Sequence, residues 1–189
     1  VRGVEESFSS NKPDPQENND QGLQVFKTID NNPGFYTGDW GLVNGSSVQY
    51  VTWNFKQTPK FFDIQTWVGT GNTPIPRPHN LQATPKCIIA KRLDASEPWA
   101  VYHDTIGFSK SLILNEDYSE QQDTVIQAAD ENTFTAAGRI DNTNDPYIGY
   151  FFADEPGLIK CGYVNANPGT QVDCGFKPQW LLLKRFEVG

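Results

Sequence analysis

The sequence contains no methionine, only two histidines and three cysteines in 189 residues. With Val1 where a start residue would stand, the chain is expected to be processed or a piece of something longer. Three sparse cysteines, Cys87, Cys161 and Cys174, do not make the dense, even set of a secreted disulfide scaffold, so free, partly buried thiols are expected. No CxxC and no Cys/His cluster has zinc spacing, and no metal or cofactor is expected. Positive charge is scarce as well. Lys plus Arg total 15 against 23 Asp plus Glu, a formal net charge of −8. Nucleic-acid backbones and anionic membrane surfaces both select Lys and Arg, so neither is the expected main partner. No window of about 18 apolar residues could span a bilayer, and no basic, apolar leader opens the chain.

What remains is aromatic and rich in turn formers. Aromatics are 13% of the chain, and there are 16 Gly and 13 Pro, which favours a turn-rich β protein. Residues 1–21 are polar and carry a single aromatic, Phe8. Such a segment buries too little apolar surface to offset its own ordering, so it reads as an extended arm held by another chain or domain. From residue 22 short apolar runs follow one another, cut by Gly, Pro and Asn. They lie at 48–55, 61–68, 86–92, 98–104, 111–115, 124–129, 132–138, 146–153, 158–164 and 179–185. Their length and their β-branched and aromatic content predict strands. A helix over 117–129, capped by Asp117 or Ser119, is the weaker alternative there, because its apolar spacing is poor.

Two stretches match. At one constant spacing Tyr50 meets Tyr147, Val51 meets Ile148, Trp53 meets Tyr150, Phe55 meets Phe152, Pro59 meets Pro156, and Phe61-Phe62 meet Leu158-Ile159. After a loop of different length, Pro85 meets Pro178 and Lys91-Arg92 meet Lys184-Arg185. A length change confined to a loop between matching strands is what a repeated β module produces. The expected organisation is an arm at 1–21, the end of a preceding repeat at 22–60, a complete module at 61–158 and the start of a following repeat at 159–189. The fold class is all-β, an antiparallel sandwich or jelly-roll-like module with flanking half-repeats.

Four motifs recur in order: W-x-F-x-x-x-P-x-F-F-D from Trp53 to Asp63, G-x-G at Gly69 and Gly71, H-N-L-x-x-x-P-x-x-I-I-x-K-R from His79 to Arg92, and W-x-V-Y-H from Trp99 to His103. Together they resemble a module found, often in tandem, in tail fibres and related virion proteins of tailed bacteriophages of marine and cyanobacterial hosts. The resemblance covers about 50–110 and 145–189. It implies a virion structural component, in a fibre, a tail or attached to a capsid, with other virion proteins as partners. It also implies a homo-oligomer, a trimer by analogy with fibres, and it carries no catalytic residues.

A hydrolase would pair His103 with Asp104 or Asp123, but strand neighbours point to opposite faces, and no GxSxG is present. His79 and His103 are therefore expected to cap loop carbonyls or to pair with acids. Glu116, Asp117, Asp130, Glu131, Asp154 and Glu155 could supply a glycosidase pair, yet they lie in polar stretches where solvated acids are the rule. Asp141, Thr143 and Asp145 alternate like the start of a Ca²⁺ loop, but the loop's Gly and distal Glu are missing, which leaves a turn. The GTGN run at 69–72 precedes Pro74 rather than a helix, against a phosphate loop. Lys91-Arg92 and Lys184-Arg185 are expected to answer nearby acids. Among the tryptophans Trp53 and Trp180 sit in strand runs and are expected in the core, while Trp40 lies in a loop and is the best candidate for exposure. The expected function is thus non-enzymatic virion structure. The alternative is a carbohydrate-binding module for a host surface glycan, with its ligand residues unknown.

Overall fold

A computed structural model describes residues 45–71, 73–165 and 167–187, and, as backbone, four strands nearer the start of the chain. Those four are β1 (Glu6–Ser7), β2 (Glu17–Asn18), β3 (Leu23–Ile29) and β4 (Asn32–Thr37). β1 pairs with β2 and β3 with β4, both antiparallel. The rest of the expected arm, and Trp40, lie outside the described residues.

Eight further strands follow: β5 (Phe62–Val68), β6 (Arg77–Pro78), β7 (Cys87–Arg92), β8 (Ala100–His103), β9 (Leu112–Ile113), β10 (Ile126–Ala129), β11 (Thr133–Ala136) and β12 (Pro146–Phe152). Two antiparallel sheets result, of order β5-β12-β7-β8-β9 and β10-β11-β6. The last long strand in sequence, β12, is thereby inserted between β5 and β7. Its register places Tyr150 between Ile64 and Ile89, Ile148 between Thr66 and Lys91, and Phe152 between Phe62 and Cys87.

One core joins the two sheets, which makes the chain an all-β antiparallel sandwich. Phe134 of β11 meets the Trp67 ring of β5 edge-on at 5.2 Å and the Phe151 ring of β12 at 4.8 Å. Trp67 also stacks on Tyr147 at 5.7 Å and donates its indole N–H to the Ile140 carbonyl at 2.9 Å. Room for this cluster comes from Gly149: a Cβ there would lie 2.9 Å from both the Trp67 and the Phe151 rings. Aromatic pairs of this geometry add about 0.5–1.5 kcal/mol each beyond their burial.

Strands form in seven of the ten predicted runs and not in the other three. The backbone at 48–55, 158–164 and 179–185 carries no strand. Nor is there a helix at 117–129, where an irregular path leads into β10. The three strand-free runs share a physical reason. A strand is stabilised by its ladder and by the face it buries, and none of the three has a ladder partner among the described residues. The matching stretches therefore differ in conformation: 147–152 is the centre of a sheet, whereas 50–55 is not paired into one.

Candidate assembly surface

Beyond the sandwich, each strand-free run is tethered at its ends. At 55–58 the chain folds back on β5. The Phe55 ring lies 5.6 Å from Phe62 and 6.3 Å from Phe152, Thr58 bridges to Phe62, and the Gln57 side-chain amide donates to Asp63 at 2.6 Å. Past β12, the Asp154 carboxylate accepts from Lys160 Nζ at 2.6 Å and from the Cys161 N–H at 2.7 Å. Farther on, Lys184 donates to the Glu116 carbonyl, and the Glu120 N–H donates to the Phe186 carbonyl at 2.8 Å. Where this segment crosses the body it borders a shallow groove of about 370 Å³ lined by Ser119, Glu120, Gln122, Phe186 and Glu187.

Between the tethers the apolar side chains face solvent. Val51 is 79% exposed, Trp53 64%, Trp180 55% and Leu181 74%. The expectation that Trp53 and Trp180 belong to the core is thus corrected: their runs match buried strands, but the strands that would cover them are not paired to them. By contrast Trp67 and Trp99 are buried. Three consecutive leucines, Leu181 to Leu183, are all exposed. Consecutive apolar residues point to alternate faces of a strand, so this run is suited to a position covered on both sides.

The remaining candidates are held inside the body. His79 is buried; its Nδ1 accepts from the Leu81 N–H and its Nε2 lies 3.0 Å from the Asp130 carbonyl, the arrangement of a tautomer that donates through Nε2. His103 accepts from the Thr105 N–H through Nδ1, while Asp104 turns to Lys86 at 2.7 Å. Burial holds the His103 pKa below its ordinary 6.5, against the opposing pull of Asp104 and Asp154. Asp123 pairs with Arg139 at 2.6 Å and takes a hydrogen bond from Ser111. Asp117, Asp130 and Glu131 are exposed, and Glu116, Asp154 and Glu155 half-buried. Asp130 closes a turn by accepting from the Asn132 and Thr133 N–H groups, which lower its pKa.

Asp141, read from the sequence as part of a turn, is also the centre of a network with Arg77 and Thr70. It is 1% exposed and accepts from Arg77 at 2.6 Å, from the Thr70 N–H at 3.1 Å and from the Thr70 hydroxyl at 3.0 Å. Gly69 lies so close to the Asn142 carbonyl that a Cβ would fall 2.0 Å from it, and Gly71, at φ +70°, lies against Thr143. The G-x-G pair therefore serves to seat the 69–71 loop on the 141–145 turn. Two residue spacings, G-x-G and D-x-T-x-D, carried that signal only as a pair. Asp145 pairs instead with Arg92 at 2.6 Å. Of the two basic pairs, Arg92 answers acids, Asp94 and Asp145, whereas Lys91 and Lys184 donate to backbone carbonyls.

The three thiols are free and half-buried. Burial raises the Cys161 pKa to about 12, with Asp154 adding to it, and raises that of Cys87 further, with Cys161 adding to it. Among the described residues no group of three or more His, Cys, Asp or Glu is placed to hold a metal ion, and no helix is long and apolar enough to cross a membrane.

A family model described as a domain of unknown function (DUF7483) matches residues 1–189, and the chain belongs to that family. No curated protein and no solved structure matches it.

Proposed function

We propose that this member of the DUF7483 family is a non-enzymatic structural protein of a tailed-phage virion, in a fibre, in the tail or attached to the capsid. The observation that carries the reading is the pair of apolar, strand-like flanks left exposed on either side of a finished sandwich. Runs of exposed large apolar residues are more than the scattered exposure of an ordinary surface and mark an interaction site. The motif resemblance from Trp53 to His103 supplies the setting. The partners are copies of this chain and other virion proteins, and the place of action is the particle. Mass spectrometry of purified particles tests it. The chain is expected as a stoichiometric virion component; finding it only in the lysate, away from particles, overturns the reading.

A second reading is favoured by one observation: Trp53, Tyr163 and Trp180 are exposed, and exposed rings are what a sugar-binding platform requires. In that reading the chain recognises a host surface glycan. A glycan array decides it. Binding that is lost in Trp53→Ala or Trp180→Ala supports this reading, and binding indifferent to both, or absent, removes it.

A further inference from the structure

We infer that copies of this chain join by strand exchange: residues 50–55 of one copy insert between 158–164 and 179–185 of another, rebuilding the β5-β12-β7 triplet across the junction. The inference deepens the assembly role proposed above and rests on it. Its premise is the pairing already visible inside the body. There, the segment matched by 50–55 is β12, the segment matched by 158–164 is β5, and the segment matched by 179–185 is β7. β12 lies between the other two, antiparallel to both. The chain thus displays one spare central strand and one spare pair of flanking strands, all drawn from the same pattern.

Transferring the observed register gives a residue-level arrangement. Trp53, in the place of Tyr150, falls between Cys161 and Leu182. Val51, in the place of Ile148, falls between Tyr163 and Lys184. Phe55, in the place of Phe152, falls between Ile159 and Trp180. In the triplet the rings and leucines that now face solvent would pack against one another across neighbouring strands. Bulky side chains carry roughly 150–250 Å² each. Those of the two flanks, about half to three-quarters exposed, offer on the order of 1,000 Å² of apolar surface. Counting the strand backbones as well, that reaches the roughly 1,200–2,000 Å² of a stable specific interface. Main-chain ladder bonds would add register, as in other cases of strand addition to an open sheet. The contact is heterologous, so it closes as a reciprocal pair or a ring, or propagates.

Two measurements on the full chain test this. Light scattering at micromolar concentration is expected to give a multiple of the protomer mass, and Leu182→Lys is expected to return a folded protomer that unfolds cooperatively, with a midpoint that no longer rises with protein concentration. In a chain carrying Trp53→Cys and Leu182→Cys, mild oxidation is expected to join positions 53 and 182 in a product of dimer mass or above, mapped by peptide mass spectrometry. Val51→Cys together with Tyr163→Cys checks the same register through a second pair. A monomeric wild-type chain, a cross-link closed within one chain, or no cross-link at either pair overturns the exchange. A chain found in particles yet monomeric and uncross-linked would sink the exchange and leave the virion role. A chain that assembles as described but is missing from particles would do the reverse.

Discussion

Ile148 and Val51 stand at matching places in two copies of one sequence pattern, yet Ile148 is fully buried and Val51 is 79% exposed. The same holds for Ile88, at 1%, and Leu181, at 74%. The difference is not in the residues. Ile148 has Thr66 on one side and Lys91 on the other, in the middle of a five-stranded sheet. Val51 has no such neighbours among the described residues. Apolar pattern therefore decides which residues are able to form a core, and the presence of ladder partners decides which of them do.

The largest effect is expected where the sandwich is closed by charge. Asp141→Ala leaves the Arg77 guanidinium, 11% exposed at its side chain, without its carboxylate, and removes the side-chain acceptor of the Thr70 N–H. Breaking a buried pair by deleting one partner costs about 3–5 kcal/mol. Denaturant unfolding should show that loss in the midpoint. A change below about 1 kcal/mol would mean that the 69–71 loop is seated by its glycines alone.

A matched pair of truncations puts the comparison itself to the test. Ile148→Ala should destabilise by about 2–5 kcal/mol, the range for emptying a packed aliphatic site. Val51→Ala should move the unfolding midpoint of the isolated protomer by no more than about 0.5 kcal/mol, as surface changes do. Equal costs at the two positions would show that 50–55 is covered in solution, and the contrast between the regions would fail.

That contrast also explains what could be read ahead of the structure. The antiparallel sandwich is legible because its runs carry turn formers at both ends and aromatics inside, and β5, β7 and β12 lie within the predicted runs 61–68, 86–92 and 146–153. Exposure of Trp53 and Trp180 was not legible, because a run in search of a partner has the same letters as a run that has found one. The Asp141 network was hidden for another reason. Asp141 is 64 residues from Arg77 and 71 from Thr70, and each looks like a loop residue until β5 and β12 bring their ends together.

The thiols probe the same boundary, with a smaller readout. Cys87 lies on β7 and Cys161 beyond β12, and burial raises both thiols well above their ordinary 9.0. Only the thiolate attacks an alkylating reagent. Iodoacetamide at neutral pH should therefore label both positions far more slowly in the folded protein than after denaturation, as followed by peptide mass spectrometry. Fast labelling of Cys161 with Cys87 untouched would place the start of the 158–164 run outside the body altogether.

The smallest expected effect is a pH dependence at the end of β8. His103 caps the 3₁₀ turn at Asp104–Ile106 through an unprotonated Nδ1, and its folded pKa lies below the ordinary 6.5 because burial disfavours the imidazolium. Asp104 and Asp154 pull the other way, and Lys86 reinforces the lowering. Between the folded value and 6.5 the unfolded chain binds the extra proton, so acidification favours unfolding. The contribution is complete above about 6.5, fades as pH falls through that window, and is gone below the folded value. Comparing unfolding midpoints of the wild type and His103→Gln from pH 7.5 downward isolates it: the wild type should lose more stability on acidification than the variant. Parallel curves would mean that the ring titrates alike in both states. The end of β8 would then be as open to water as the unpaired flanks, and the boundary drawn here between covered and uncovered strands would have to move.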